Sequence, residues 1–218
     1  MNYAALSANI QAYTENTEAD FIAEIPVFVQ QAEQRIYNSV QFPSIRKNVT
    51  GSMTTSNKYL ECPSDFLAVY SLAVINASGE YEYLLNKDVN FIRQAYPQPT
   101  DTGIPKYYAL FGPRSDNAAE LTFILGPTPD SGYSAELHYY YYPESIVTAS
   151  TTWLGDNFDT VLLYGSLVEA YTYMKGEQDM MALYNGKYQE ALALAKRLGD
   201  GMERQDAYRS GQYRQAVT

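Results

Sequence analysis

Apolar residues recur at helical spacing at both ends of the chain, whereas the middle of the chain has short runs of β-branched and aromatic residues. Near the amino terminus, Leu6 and Ile10 share one face and predict a helix over Tyr3–Thr14, with a break at Asn16. A second helix follows, and Pro26 either kinks it or occupies the first turn of a new helix. Its apolar positions are spaced by three and four residues and lie on one face: Phe21, Ile25, Phe28, Val29, Ala32 and Ile36.

The middle of the chain carries β-branched and aromatic runs separated by Gly, Pro, Asn and Asp, which predict antiparallel strands joined by turns. A β-sandwich is the packing that buries one face of each sheet. A short helix over Asp88–Ala95, capped by Asp88, interrupts the strands. The predicted strands are Asn48–Met53, Lys58–Glu61, Phe66–Asn76, Tyr81–Leu85, Lys106–Phe111, Leu121–Leu125 and Ser134–Tyr142.

The strand Ser134–Tyr142 is apolar on both faces. Ala135, Leu137, Tyr139 and Tyr141 alternate with Glu136, His138, Tyr140 and Tyr142. We therefore expect a central strand, whose second face meets either the helices or a neighbouring subunit.

The helical period returns in the last third of the chain and predicts two further helices. The first begins near Asp156 and ends at Gly176, and the second begins at Asp179 and runs to Leu198. The segment Gly199-Asp200-Gly201 should end it, because glycine favours the left-handed conformation found after helix ends.

These patterns predict an α+β fold with terminal α-helices forming a bundle, a central antiparallel β-sandwich-like domain and an extended C-terminal tail. The expected division of the chain is 1–45 for the N-terminal helices, 46–150 for the β domain, 151–200 for the C-terminal helices and 201–218 for a flexible tail.

Tyrosine is unusually frequent, with 22 residues. Its ring packs against apolar surface while its hydroxyl tolerates water, which suits surfaces that later become subunit contacts. The β propensity of tyrosine alone also accounts for its presence on ordinary sheet faces. The candidate subunit-interface residues are Tyr140 and Tyr142 on the predicted central strand, and Tyr171 and Tyr184 on the C-terminal helices.

The last residues of the chain, Met202–Thr218, have almost no aliphatic side chains and cannot order themselves by burial. From Lys196 onward, five Lys or Arg stand against three Asp or Glu, so this end is locally basic. Such a tail is either simply mobile or a segment that folds on binding. Its candidate docking residues are Arg204, Tyr208, Arg209, Tyr213 and Arg214.

The net charge of −10 argues against stable, sequence-independent binding of nucleic acid, which requires clustered Lys and Arg. The single cysteine, Cys62, excludes an intrachain disulfide and is consistent with folding in a reducing cytoplasm. We expect neither a secretion signal in Met1–Tyr13 nor a membrane span, since the longest apolar run, Phe66–Ile75, is interrupted by Ser71.

The sequence offers little catalytic chemistry. The one histidine, His138, has no apparent nucleophile or metal-binding partner, and no phosphate-binding glycine motif is present. The acidic pairs Asp156 with Asp159 and Glu177 with Asp179 lie at predicted helix starts, where carboxylates favour the helix dipole. We therefore predict a protein that is not an enzyme, with no cofactor, no metal and no catalytic residues.

Several short motifs occur in order along about Asn9–Leu198. Each motif alone is weak evidence for a family, but their order and spacing together are more specific. They are Ile25-Pro26-Val27-Phe28-Val29 with Gln31–Ile36, Tyr59-Leu60 with Pro63–Leu67, Gly103–Tyr108, Gly126-Pro127 with Pro129-Asp130, Tyr141-Tyr142-Pro143, Trp153-Leu154, Leu162-Leu163-Tyr164 and Tyr184 with Tyr188. This series resembles the head-to-tail connector, or adaptor, family of tailed bacteriophages, which includes the tail tubular A proteins.

The resemblance implies a structural protein of the virion neck, assembled in the host cytoplasm. Such an adaptor forms a dodecameric ring under the portal protein, joins it to a downstream tail or nozzle protein, and lets genomic DNA pass through its lumen without specific binding. A terminal segment commonly docks on the portal in this class, which assigns that role to the basic tail. The ring size comes from the resemblance alone.

The main alternative is a receptor- or carbohydrate-binding β-sandwich of the tail, in which tyrosines and Trp153 would stack on sugar rings. The helices predicted at both ends of the chain argue against it, because such modules are nearly all β. A glycosidase is a third, weaker interpretation.

Overall fold

The computed structural model describes residues 1–40, 42–112 and 121–209, with side chains of the last helix described up to Gly199. The helices are α1 (Tyr3–Thr14), α2 (Ala19–Ser39), α3 (Val89–Ala95), α4 (Ile146–Ala149), α5 (Trp153–Asn157), α6 (Asp159–Met174) and α7 (Gln178–Arg209), with a 3₁₀ turn at Pro43–Ile45. The strands are β1 (Arg46–Ser52), β2 (Tyr59–Glu61), β3 (Phe66–Ile75), β4 (Tyr81–Tyr83), β5 (Leu85–Asn86), β6 (Thr102–Gly103), β7 (Tyr107–Phe111), β8 (Thr122–Gly126), β9 (Thr128–Pro129) and β10 (Ser134–Tyr141).

The chain forms two compact units. Met1–Ile45 and Pro143–Thr218 make a helical unit, and Arg46–Tyr142 makes a β unit. The predicted α+β class is confirmed. The β unit ends at Tyr142 rather than at residue 150, because Pro143 follows the last strand and the Ser145 hydroxyl accepts a hydrogen bond from the Val147 amide at the start of α4.

Local signals explain the limits of the helices. The Asn2 side chain accepts a hydrogen bond from the Ala5 amide at the start of α1, and Glu15 ends this helix in the left-handed conformation with φ 50°. The helix α2 continues through Pro26, so the proline neither ends nor begins it. Lys175, with φ 53°, ends α6 in the same left-handed manner.

The core of the helical unit is built around α6, which packs against α1, α2 and α7. The helices come closest at Gly165 of α6. A Cβ atom placed there would lie 3.2 Å from the Ala32 Cβ atom of α2 and 3.2 Å from the Tyr188 Cε2 atom of α7. The absence of a side chain at Gly165 therefore lets three helices pack closely at one level.

Two charged residues of α2 fasten it to the rest of the helical unit. The buried Glu33 carboxylate accepts a 2.9 Å hydrogen bond from the Ile146 amide, at the start of α4. Burial raises the pKa of Glu33 above its ordinary value. Two residues later, the Arg35 guanidinium donates to Glu169 of α6 and lies 5.9 Å from the ring centre of Tyr188.

The β unit is a sandwich of two four-stranded sheets. The strand order is β1-β10-β3-β4 in the first sheet and β2-β8-β7-β5 in the second, with β6 and β9 forming a small third sheet. The inner faces share a core, and α3 covers the outer face of the second sheet with Ile92 against Ala109 and Ile124. The buried core residues are Met53, Cys62, Phe66, Leu72, Val74, Leu84, Tyr108, Phe123, Leu125, Ala135, Leu137 and Tyr139.

The strand Ser134–Tyr141 lies between β1 and β3, as expected of a central strand. The predicted run Tyr81–Leu85, however, is divided between the two sheets. Tyr81–Tyr83 pairs with β3 of the first sheet, and Leu85–Asn86 pairs with β7 of the second in parallel orientation. The chain crosses between the sheets at the buried residue Leu84, which local β propensity cannot reveal.

The predicted end of the last helix at Gly199-Asp200-Gly201 is wrong, since α7 continues to Arg209. Glycine costs a helix about 1 kcal/mol relative to alanine, but it retains both backbone hydrogen-bonding groups and does not force an end. No helix within the described residues is long and apolar enough to cross a membrane.

Candidate assembly surface

The histidine and the acidic residues that the sequence offered as candidate catalytic groups lie on a strand and in the first turns of helices. The His138 Nε2 atom lies 3.5 Å from the Glu136 carboxylate on β10, and both side chains are partly exposed. Asp156, Asp159 and Asp179 lie in the first turns of α5, α6 and α7. Among the residues that the structure describes, no three His, Cys, Asp or Glu side chains are grouped to hold a metal ion.

The outer face of the first sheet carries an exposed aromatic surface. We call Arg46, Tyr70, Tyr81, Tyr83 and Tyr140 the tyrosine face. The exposed fraction of the side chain is 56% for Tyr70, 49% for Tyr81 and 70% for Tyr83. Tyrosine and arginine are among the residues enriched in protein interfaces, so this surface is suited to contact another protein.

Strand register brings the tyrosine face together. Arg46 lies opposite Tyr140 in the β1–β10 pair, and its guanidinium is 5.1 Å from the Tyr70 ring centre and 5.6 Å from that of Tyr140. The two rings meet edge to face at 6.0 Å, while Tyr81 and Tyr83 of β4 stack at 6.5 Å. The arginine thus makes cation–π contacts with two aromatic rings, which restrict its direction before any partner binds.

A hydrogen-bonded group on the inner side of the same strands supports this arrangement. The Tyr139 hydroxyl and the Lys47 ammonium donate to opposite oxygens of Asp65, each at 2.9 Å. Burial alone would raise the pKa of Asp65, but the bonds from Lys47 and Tyr139 hold it below its ordinary value. The carboxylate therefore stays charged near neutral pH and joins β1, β10 and the start of β3.

The four candidate interface tyrosines have different surroundings. Tyr140 belongs to the tyrosine face, and Tyr142 is exposed directly after β10. Tyr184, in contrast, is buried in the helical unit, and its ring lies 4.9 Å from that of the half-buried Tyr171. Burial, with a smaller effect from Tyr171, raises the pKa of Tyr184 to about 12. We therefore assign Tyr184 to the core of the helical unit.

The sequence analysis did not identify four members of the tyrosine face as interface candidates. They are Arg46, Tyr70, Tyr81 and Tyr83. The alternation of Tyr81 and Tyr83 on a predicted strand was a usable signal for an aromatic face. Arg46 lay outside the strand predicted to begin at Asn48, whereas β1 begins at Arg46 itself. Its stacking depends on pairing with β10, far along the chain, which a local pattern does not contain.

The candidate docking residues of the tail lie where the structure describes only the backbone, or outside the described residues. Arg204, Tyr208 and Arg209 have backbone positions within α7, but their side chains lie outside the described residues. Tyr213 and Arg214 lie outside the described residues altogether.

Comparison with known proteins identifies the family. The family described as "SU10 adaptor protein" matches residues 1–215. The chain belongs to the SU10 adaptor protein family. The resemblance to bacteriophage head-to-tail adaptors seen in the sequence is thereby confirmed, and it identifies the protein as a structural component.

The adaptor also has weak likeness to a chain of a solved structure titled "Neck of empty GTA particle computed with C6 symmetry". The two share 11% sequence identity over 78% of each chain, with a TM-score of 0.27. No curated protein matches the chain.

Proposed function

We propose that this adaptor assembles into a closed ring in the virion neck, between the portal protein and a downstream tail or nozzle protein. Membership of the adaptor family across residues 1–215 carries the proposal. A dodecameric ring is the form that the resemblance implies. Copies would assemble in the host cytoplasm and give the genome a conduit on its way out of the capsid.

The charge of the chain supports a conduit that does not retain DNA. Each copy carries a net charge of −10, so a ring would repel the phosphate backbone. Specific and non-specific DNA binding both need phosphate contacts by clustered Lys and Arg. The adaptor should therefore show no measurable affinity for duplex DNA at physiological salt.

We assign portal docking to the segment Met202–Thr218, which includes Arg204, Tyr208, Arg209, Tyr213 and Arg214. The local excess of basic residues and the two tyrosines support this role. A chain that ends at Gly201 should keep its melting temperature and lose only the helical circular dichroism signal of α7 beyond Gly201, but fail to join portal-bearing heads. If the shortened chain still attaches, the docking site lies elsewhere.

Electron microscopy of the adaptor mixed with the portal protein of the same virus tests the function directly. We expect rings stacked on the portal, and native mass spectrometry of the adaptor alone would report whether the portal is needed to start the ring. A protein that ignores the portal would refute the adaptor role assigned to this chain.

The tyrosine face favours one alternative, a peripheral tail component that binds a receptor or carbohydrate. Exposed aromatic rings such as Tyr70 and Tyr83 are able to stack on sugar rings. A glycan array would reveal this activity, and binding that disappears in a Tyr83→Ser variant would shift the assignment from a connecting ring to recognition.

A further inference from the structure

The first sheet of the β unit has two edges, and the strand at one of them is long. The strand order β1-β10-β3-β4 makes β1 one edge strand and β4 the other among the described strands. The strand β1 pairs with β10 over seven residues without a register shift, contains no proline, and is exposed from Lys47 to Ser52. Natural edge strands are usually short, bulged or covered, because an open edge pairs readily with another chain.

Every second residue of β1 turns its backbone away from β10. In an antiparallel pair, consecutive residues alternate between facing the neighbouring strand and facing away from it. The Met53 amide donates to the Tyr133 carbonyl at 2.7 Å, which fixes the alternation. Asn48, Thr50 and Ser52 therefore face outward, and no described residue makes a hydrogen bond with their outward backbone groups.

The opposite edge has the same property. The Leu84 amide donates to the Leu72 carbonyl at 2.9 Å, so alternate residues of β4 face β3, while Tyr81 and Tyr83 face outward. Their outward backbone groups likewise have no hydrogen-bond partner in the described part of the chain. The side chains of Tyr81 and Tyr83 are 49% and 70% exposed, so nothing described covers this edge.

The directions of the strands suit a head-to-tail contact between the two edges. All three neighbouring pairs in the sheet are antiparallel, so β1 and β4 run in opposite directions. Copies that stand side by side in the same orientation, as in a ring, therefore present β4 of one copy antiparallel to β1 of the next. A ring requires two different surfaces on each copy, and the two edges of one sheet form such a pair.

The charges of the two edges are complementary and favour one register. The strand β1 carries Arg46 and Lys47 without an acidic residue, whereas Glu80–Tyr83 carries two carboxylates without a cation. When Tyr83 lies opposite Arg46, the outward backbone groups of the two edges meet and Glu82 falls opposite Lys47. Opposite charges at such positions stabilise strand pairing. The Lys47 side chain is half exposed, so its ammonium can donate to a second carboxylate.

We propose that the β4 edge of one copy pairs with the β1 edge of the next copy in this register, so that the first sheet continues from copy to copy. The inference rests on the ring proposed above and names its subunit contact. The register places Tyr81 opposite Asn48 and Tyr83 opposite Arg46. Pairing satisfies the outward backbone groups with each other and covers the exposed tyrosines of β4.

Proline tests the pairing, because it removes an amide hydrogen and places its own ring between the two strands. Asn48→Pro should lower the yield of rings in the adaptor–portal mixture at least about tenfold, while the hydrogen bonds between β1 and β10, which other residues make, remain. Tyr81→Pro should do the same from the other edge. Asn48→Ala and Tyr81→Phe are the matched controls, since both retain the amide, and their rings should form normally.

Paired cysteines test the register. A chain carrying Asn48→Cys and Tyr81→Cys should give a ladder of covalent multimers on mild oxidation of the assembled rings, because directly opposite residues have Cα atoms about 5.5 Å apart. Ser52→Cys with Tyr81→Cys is the control, since Ser52 lies roughly 13 Å further along β1 and should give no ladder. The native Cys62 is buried and leaves a clean background.

The outcomes separate the contact from the ring itself. Normal rings from both proline variants, or rings of the Asn48 and Tyr81 cysteine chain without a ladder, would overturn the edge pairing and leave the adaptor function intact. A ladder from the Ser52 chain would overturn the register. Wild-type protein that forms no ring on the portal would overturn the pairing together with the ring. Melting temperatures identify a proline variant that is misfolded, and the cysteine result then decides.

Discussion

The same substitution, glycine to alanine, should change stability in opposite directions at two positions of the helical unit. Gly165 of α6 faces Ala32 and Tyr188, with 3.2 Å from the missing Cβ to each neighbour. Gly186 of α7 has nothing within 4 Å of that position. Both glycines lie inside helices, so the intrinsic gain from alanine is alike, and only the packing differs.

At Gly186 the helix should gain about 1 kcal/mol, which is the difference in helix propensity between glycine and alanine. At Gly165 the same gain is opposed by about 1–3 kcal/mol of overpacking, because the Ala32 Cβ atom is fixed to its own helix and cannot turn aside. The expected net effect of Gly165→Ala is a loss of about 1 kcal/mol. For a chain of this size, 1 kcal/mol moves the melting temperature by about 2–4 °C.

Thermal unfolding followed by far-ultraviolet circular dichroism measures both effects, since the signal comes mainly from the helices. Gly186→Ala should melt above wild type and Gly165→Ala below it. If Gly165→Ala melts as high as Gly186→Ala, then α2 and α7 do not approach α6 as closely as described, and the account of the bundle core is refuted.

Three further predictions concern buried polar groups. Glu33→Gln keeps an acceptor for the Ile146 amide without a charge. Because burial raises the pKa of Glu33, wild type loses stability as the pH rises from the ordinary pKa of a glutamate through the raised one, and the variant should gain on wild type over that interval. A constant difference in urea midpoints would contradict this. The Tyr188 hydroxyl reaches no protein partner among the described residues, so Tyr188→Phe should be neutral or stabilising by up to about 1 kcal/mol, and a clear loss in urea unfolding would indicate a missed hydrogen bond. Burial raises the pKa of Cys62 to about 12, so a thiol reagent at neutral pH should label the native protein far more slowly than the unfolded protein, and rapid native labelling would refute its burial.

Local chemistry predicted the elements that depend on neighbours in sequence. The Asp88 carboxylate accepts a 2.7 Å hydrogen bond from the Asn90 amide at the start of α3, as the sequence indicated. The strands Phe66–Ile75 and Ser134–Tyr141 follow the predicted runs closely. Each of these features is set within a few residues, by a cap or by alternation, and a single sequence contains that information.

Features that depend on distant partners were not predictable. The change of sheet at Leu84, the stacking of Arg46 and the close approach at Gly165 each require knowledge of which segments meet. The helix through Gly199–Gly201 shows the reverse case, in which a strong local signal for an end is overridden. The propensity of a residue is worth about 1 kcal/mol, which neighbouring contacts readily exceed.

The tyrosines show why composition alone does not distinguish interface residues from core residues. Tyr184 and Tyr83 are the same residue type in helix and strand, yet one is 6% and the other 70% exposed. An adaptor subunit has to remain dissolved before assembly and adhere afterwards, and an exposed tyrosine meets both needs. Its hydroxyl is hydrated in the free subunit, while its ring contributes apolar area once a partner covers it.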